Sequence, residues 1–233
     1  MMSRRGADWG NRLWIKSVII ILLFVAGVRL FQASQYQIIS MLLVIGACFP
    51  IYYRYERKQI NIKELVLIAV LIAIAVLSRF LFYMIPAITP MTAIIIISGI
   101  CLGAEVGFLV GSLSAITSNI LFGQGPWTPF QMFSWGMIGL VAGVPWLQKR
   151  LKKRYWFLAL YGILAGFFFS FFMDLWTVFS IDRYFSWQRY LALLLSAIPY
   201  TISYCFSNAF FSCFLFRTIQ KKLQRILIKY DIK

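Results

Sequence analysis

The chain has 233 residues, of which 61% are hydrophobic and 13% charged, and its mean hydropathy is +0.81. These values exclude an ordinary soluble domain and predict an all-α, polytopic integral membrane protein, built as a helical bundle. The formal net charge of +16 would suggest a nucleic-acid partner for a soluble protein. In a membrane protein basic residues first report topology, and nucleic acid is not expected as a partner here.

Apolar stretches predict eight transmembrane helices. The first follows a basic start, and because no small-residue cleavage site comes after it, we expect a span and not a signal peptide. The predicted spans are Leu13–Leu30, Tyr36–Tyr53, Glu64–Tyr83, Met91–Leu102, a helix that follows Gly103 and runs to Phe122, Gln131–Leu147, Trp156–Phe179 and Tyr190–Phe216. A charged connector divides an N-terminal transmembrane helix pair, residues 1–60, from a six-helix core with a basic tail, residues 61–233.

The basic residues are distributed unevenly over this topology. The segments on one side of the predicted membrane hold all but four of the 23 lysines and arginines; the four are Arg29, Arg79, Arg183 and Arg189. The positive-inside rule therefore predicts a multi-pass protein with both termini in the cytoplasm. The same basic segments are suited to contact with anionic membrane lipid.

Residues 118–136 do not read as ordinary membrane helix. Pro126 and Pro129 remove backbone donors, and Gly123 and Gly125 permit a positive φ, so a structured re-entrant loop is predicted. Irregular backbone at membrane depth must be buried in protein or face a watery cavity. Uncharged polar and aromatic side chains in this stretch favour a small-molecule pocket; they are Gln124, Trp127, Thr128, Gln131 and Trp135. The alternative is an interfacial turn whose tryptophans belong to the aromatic belt.

Two charges fall inside predicted spans. Arg79 and Asp174 lie near the outer ends of their helices, where a ligand-facing or mutually paired role is the usual expectation. The alternatives are an arginine that reaches the interface and an aspartate that caps a turn. Asp174 continues a row of small residues spaced by four, namely Gly162, Gly166 and Ser170, which predicts that it points into the bundle.

Two further residues complete the predicted pocket. Asn119 ends the fifth predicted span just before the loop, although a helix C-cap is an equal alternative. Tyr200 is the outermost member of a polar face on the last span. The predicted substrate-binding set is therefore Arg79, Asn119, Gln124, Trp127, Thr128, Gln131, Trp135, Asp174 and Tyr200.

Catalytic and metal chemistry have no sequence signal. The chain has no histidine, and its four cysteines lie in apolar runs without CxxC spacing. Neither a nucleophile with its base nor a phosphate-binding glycine loop is recognisable. We therefore predict no enzyme activity, no cofactor and no metal site. At the inner side, Ala69 and Ala73 form a small-residue surface suited to contact with another helix.

Several motifs resemble one family, the substrate-binding S-components of energy-coupling factor (ECF) transporters, and the similarity covers about residues 61–216. The motifs are Ala69-xxx-Ala73 followed by Arg79, Pro86-x-x-x-Pro90-x-Thr92-Ala93, Gly103-x-Glu105-x-Gly107-Phe108, and Ser118-Asn119 leading into Phe122-Gly123-Gln124-Gly125-Pro126-Trp127-Thr128-Pro129. The alanine pair is a weak signal, whereas the loop motif is more specific. Six-span members would begin near Glu64, so the N-terminal pair is an addition.

The resemblance implies a function. It implies a subunit in a prokaryotic cell membrane that binds a vitamin from outside, and that works with a transmembrane coupling subunit and two cytoplasmic ATPases. Ala69 and Ala73 would dock on the coupling subunit, and the loop would form part of the pocket or its lid. The closest likeness is to cobalamin-type S-components; pantothenate or a modified base are the alternatives. From other classes, a lipid-modifying enzyme using Asp174 or Glu105 and a structural scaffold remain open.

Overall fold

The computed structural model describes residues 36–56 and 61–231, and the regular secondary structure of this part of the chain is all helix. The predicted first span, Leu13–Leu30, lies outside the described residues. The helices are α1 (Tyr36–Glu56), α2 (Ile62–Leu81), α3 (Met91–Leu102), α4 (Ala104–Phe122), α5 (Thr128–Ala142), α6 (Pro145–Lys153), α7 (Tyr155–Asp182), α8 (Trp187–Ser196) and α9 (Ile198–Tyr230). The all-α membrane fold predicted from composition is confirmed.

Not every described helix is long enough to cross a membrane. Helices α2, α4 and α7 have the required length and apolarity, and two bent pairs, α5 with α6 and α8 with α9, bring the number to five if each pair is one span. Two shorter apolar helices, residues 44–53 and α3, correspond to the second and fourth predicted spans. The predicted spans within the described residues thus correspond to elements of quite different length.

Proline positions explain where the predicted spans break. The sixth was expected to continue to Leu147, but α5 ends at Ala142 and α6 leaves at 74°. The eighth was expected to be continuous from Tyr190, but α8 and α9 meet at a bend of 59°. Pro145 and Pro199 both lie in the first turn of the helix after the bend, where their missing N–H is tolerated.

Helix α3 lies at the centre of the bundle. Its residues 91–100 are all buried, and it packs against α2, α4, α5 and α9. Close approach of α3, α4 and α5 depends on Gly99, Gly107 and Gly139, because a Cβ at any of them would overlap a neighbouring backbone. Gly107 on α4 therefore lies in a close-packed contact with both α3 and α5.

Helices α7 and α9 pack along the small-residue row that was predicted on α7. A Cβ on Gly162 would lie 2.8 Å from the Ala209 amide nitrogen, and one on Gly166 would lie 2.7 Å from that of Cys205. One turn further along α7, the Ser170 hydroxyl bonds the Thr201 hydroxyl at 2.5 Å. The contacts run antiparallel at four-residue intervals, so Asp174, the next residue in the row, falls opposite the α8–α9 bend.

The two ends of the bundle differ in chemistry. At one end, which we call the loop end, α2 and α4 finish and residues 123–127 connect α4 to α5. At the other, the basic end, Lys63 Nζ donates to the Tyr230 carbonyl oxygen at 3.0 Å. The basic residues of α6 and of the last turns of α9 belong to this second end.

Helix α1 packs on the core. The Tyr52 hydroxyl donates to Ser112 Oγ at 2.7 Å, and the Tyr52 ring meets Phe108 edge-on with centroids 5.7 Å apart. Val44 joins a small cluster with Phe130 and Trp176. The domain division at residue 60 stays a prediction.

We expect Gly107→Ala to destabilise the protein by about 1–3 kcal/mol, because the added methyl group overpacks the contact with α5. Gly46→Ala is the matched control: Gly46 is an exposed position of α1 with no described heavy atom within 4 Å of a new Cβ. There the better helix propensity of alanine should leave the melting temperature unchanged or slightly raised. Equal melting temperatures for both variants in detergent would contradict this packing.

Candidate functional site

Asn119 is the centre of a hydrogen-bonded network at the loop end. It is 1% exposed, in the last turn of α4. Its Nδ2 donates to Thr128 Oγ1 at 2.9 Å and to Gln131 Oε1 at 2.7 Å, and its Oδ1 accepts from Arg79 Nη1 at 3.1 Å. The side chain therefore joins three helices, α2, α4 and α5, and does so without an intrahelical capping bond.

The loop, residues 123–127, is fixed on this network. Thr128 Oγ1 donates to Gln124 Oε1 at 3.0 Å, and Gln124 Nε2 donates to the Ile116 carbonyl oxygen at 2.8 Å. Gly123 has a φ of 102°, which a residue with a side chain rarely adopts, and the Trp127 indole occupies the space beside Gly125 where a Cβ would be. The loop is a compact structured turn.

The structure corrects the predicted start of the helix after this loop. That span was expected to begin at Gln131, beyond both prolines, but α5 begins at Thr128. Pro129 lies in its first turn and does not interrupt it. As a result Thr128 and Gln131 lie one turn apart on the same helix face, and both reach Asn119.

Arg79 extends the network toward α2. Besides Asn119, its Nη1 donates to Ser118 Oγ at 2.5 Å. The guanidinium carbon lies 4.7 Å from the Phe122 ring centroid and 5.4 Å from that of Trp135. The suggested pair with Asp174 is wrong, since no ion pair joins these two described residues.

Aromatic side chains continue inward from Arg79. Trp135 Nε1 donates to Thr92 Oγ1 at 3.3 Å, and its indole stacks on Phe169 with centroids 4.7 Å apart. Phe169 in turn meets Tyr204 edge-on at 5.3 Å. The row lies at the meeting point of α3, α5, α7 and α9, in the interior of the bundle.

Two of the nine predicted substrate-binding residues lie neither in the loop nor in hydrogen-bond or ring contact with the network, as far as the structure describes it. Asp174 is half-buried, and its Oδ2 is sealed from solvent without a hydrogen-bond partner among the described residues. Tyr200 is 58% exposed in the first turn of α9. Thr201, in the same turn, is 6% exposed, and Tyr204 one turn later meets Phe169, so the inward-facing polar residues of α9 begin at Thr201.

Some residues of the site were missed by sequence reasoning. Ser118 and Thr92 were quoted only as parts of motifs, and Phe169 stands in a run of three phenylalanines with no distinguishing signal. Thr201 was outside the predicted polar face although it bonds Ser170. Hydroxyl groups in apolar helices are a weak sequence signal, since they can bond their own helix backbone.

The polar side chains of the network bond one another at the loop end. A cleft of about 110 Å³ lies elsewhere, between α1 and α5, and apolar side chains such as Phe49 and Met132 line it. Pockets for small molecules usually measure about 300–1,000 Å³. Within the described residues, then, Asn119, Gln124, Thr128 and Gln131 bond one another, and a ligand at this network would have to replace some of these bonds.

The predicted docking residues lie on an exposed apolar face of α2. Ala69 and Ala73 are both exposed, and Val66, Val70 and Ile74 beside them are 58%, 48% and 45% exposed. Small side chains at a four-residue interval make this face flat, so another helix could approach it closely.

The fold and site describe a polytopic membrane protein with a hydrogen-bonded polar site at one end and an exposed small-residue face. Residues 63–230 match the family of the ECF transporter, substrate-specific component, and the chain belongs to this family. A search of curated proteins and a search of solved structures each found no match. The chain is thus the membrane substrate-binding subunit of an ECF transporter, which works with a coupling membrane subunit and ATPases. Members of this family are components of a transporter and not enzymes.

Asn119→Ala should destabilise the protein by about 1–3 kcal/mol and release the loop, because Thr128, Gln131 and Arg79 each lose a partner. Hydrogen–deuterium exchange over residues 123–127 should accelerate. Asn208→Ala is the control: Asn208 is also 1% exposed, but its Oδ1 has no partner in the described chain. Unchanged loop exchange in Asn119→Ala would contradict the network.

Proposed function

We propose that this subunit captures a vitamin from the outside, cobalamin or a related corrinoid by first choice, and delivers it through the coupling subunit with two ATPases. Pantothenate or a modified base are the alternatives. The observation that carries the proposal is the loop held on Asn119 by neutral hydrogen bonds. Each such bond contributes only about 1 kcal/mol net, so a substrate with matching polar groups can replace it.

The loop acts as a lid in this proposal. Gln124, Trp127 and Thr128 belong to the segment that moves, and Arg79, Asn119, Gln131 and Trp135 form the floor beneath it. Asp174 and Tyr200 face the substrate from α7 and α9 once the lid has opened. A closed lid with satisfied polar groups is what an unloaded capture subunit requires, since open polar groups at membrane depth are costly.

The orientation follows from the charges. We propose that the basic end is cytoplasmic, with both termini there, and that the loop end faces the outside of a prokaryotic cell. The five basic residues of positions 149–154 and those of the α9 tail support this placement, and they favour contact with anionic lipid. The N-terminal helix pair, residues 1–60, is an addition to the transporter core, residues 61–233.

The coupling subunit docks on the face of α2 that carries Ala69 and Ala73. Exposure of these alanines and of the valines beside them supports this assignment. A flat apolar face gives close contact between helices in lipid, where dispersion and packing replace the hydrophobic effect.

Cyanocobalamin should raise the melting temperature of the purified chain. At a concentration of 100 times Kd, binding to the folded state contributes about 2.7 kcal/mol. Native mass spectrometry should show one corrinoid per chain. If pantothenate or a modified base shifts the melting temperature and cyanocobalamin does not, the capture function stands with a different vitamin; if none of the three does, the proposed substrates are wrong.

The double substitution Ala69→Trp with Ala73→Trp should abolish co-purification with the coupling subunit, because two indoles prevent close helix approach. Leu160→Trp with Leu164→Trp is the matched control, since these exposed residues of α7 have the same spacing and are 42% and 54% exposed. Both variants should retain the wild-type melting temperature. Intact assembly of the α2 variant would overturn the docking assignment.

A further inference from the structure

We infer that the substrate carries an oxyanion, a carboxylate or a phosphate group, and that this group binds Arg79. The inference rests on the proposed function, in which Arg79 forms part of the floor beneath the lid. It narrows the substrate class: pantothenate has a carboxylate and cobalamin a phosphodiester, whereas a neutral modified base has neither.

The first ground is charge balance. Arg79 lies in the last turn of a membrane-spanning helix, where a cation is costly unless an anion or a watery cavity compensates it. Its hydrogen-bond partners, Ser118 and Asn119, are neutral. Of the carboxylates toward this end, Asp182 is paired with Arg189 and Asp174 forms no ion pair with Arg79. Within the described chain, the Arg79 charge lacks a counter-ion.

The second ground is the set of unused donors. Arginine presents five N–H donors in a planar fork that fits an oxyanion. Both hydrogen bonds of Arg79 come from Nη1, and Nε and Nη2 donate to no described acceptor. Neither atom is among the polar atoms sealed from solvent. Arg79 therefore keeps donors that an entering group can reach.

The third ground is the position of the aromatic rings. Phe122 and Trp135 are both within 6 Å of the guanidinium carbon. Contact with these ring faces orients an arginine without consuming its N–H donors, which lie in the guanidinium plane. With Nη1 tied to α4 as well, the fork is held in place before a substrate arrives. Such preorganisation reduces the ordering cost of binding.

A purely structural role for Arg79 is the competing explanation, because it also ties α2 to α4. That role predicts a lower melting temperature for Arg79→Gln without any change in which compounds bind. Substrate preference is therefore the decisive measurement.

The experiment uses the purified full chain and two pairs of probes of which one member lacks the oxyanion. Pantothenate is compared with panthenol, and cyanocobalamin with dicyanocobinamide, which lacks the phosphodiester together with the ribose and base attached to it, so loss of preference in Arg79→Gln is what assigns the effect to the oxyanion. Kd is measured by equilibrium dialysis for the wild type, Arg79→Gln, Arg79→Lys and the control Arg189→Gln, whose arginine is exposed and paired with Asp182. The wild type should bind the oxyanion member of one pair about 10- to 100-fold more tightly than its counterpart. Arg79→Gln should lose that preference, Arg79→Lys should keep part of it, and Arg189→Gln all of it.

The binding measurements distinguish a failure of the oxyanion inference from a failure of the proposed vitamin capture. Equal affinity within both pairs, or an unchanged preference in Arg79→Gln, overturns the inference while vitamin capture stands. Should Arg79→Gln fail to fold, the comparison of probe pairs on the wild type alone decides. If the wild type binds none of the four probes, the inference and the proposed vitamins both fall, and co-purification with the coupling subunit then tests membership of the transporter separately.

Discussion

The hydrogen bonds of the Asn119 side chain determine the state of the site. Its amide group accepts a hydrogen bond from Arg79 on α2 and donates hydrogen bonds to Thr128 and Gln131 on α5. Thr128 in turn donates to Gln124 in the loop. A buried amide has a fixed number of donors and acceptors, so these contacts cannot be lost one at a time without leaving sealed polar atoms. The loop and the ends of three helices therefore form one closed unit.

Beneath the loop, α3, α4 and α5 pack closely against one another. Glycines at 99, 107 and 139 let α3, α4 and α5 approach to backbone contact, which leaves little free space between these helices. The loop above these helices is held in place by its own turn contacts and by the hydrogen bonds of Gln124. A rigid floor with a small lid gives a binding subunit a defined site, and leaves opening to a few neutral hydrogen bonds.

Much of the fold followed from residue chemistry. Composition predicted the helical membrane bundle, and the glycines, prolines and uncharged polar residues of 118–136 predicted a structured loop that needs partners. Asn119, Gln124, Thr128 and Gln131 are indeed each other's partners. The bends near Gly143 and Ala197 were not predicted, although Pro145 and Pro199 follow them, because a proline inside an apolar run can also kink a helix that then continues.

The missed features depend on tertiary contacts. Periodicity placed Tyr200 on the polar face of its helix, but the residue lies just after the 59° bend and is 58% exposed. Phe169 became part of the aromatic row only because α7 packs across α5, which no local pattern records. The pairing of Arg79 with Asp174 was suggested by opposite charge and similar depth, whereas neutral partners one helix away hold the arginine.

The central claim is that the loop opens to admit substrate. It is tested most directly by joining cysteines at Ile116 and Gln124, whose hydrogen bond closes the loop onto α4, with a short bifunctional reagent. Uptake of radiolabelled cobalamin by the purified subunit is then measured before and after crosslinking. The account predicts that the crosslinked chain neither loads nor releases cobalamin; exchange at the rate of the uncrosslinked chain would contradict it.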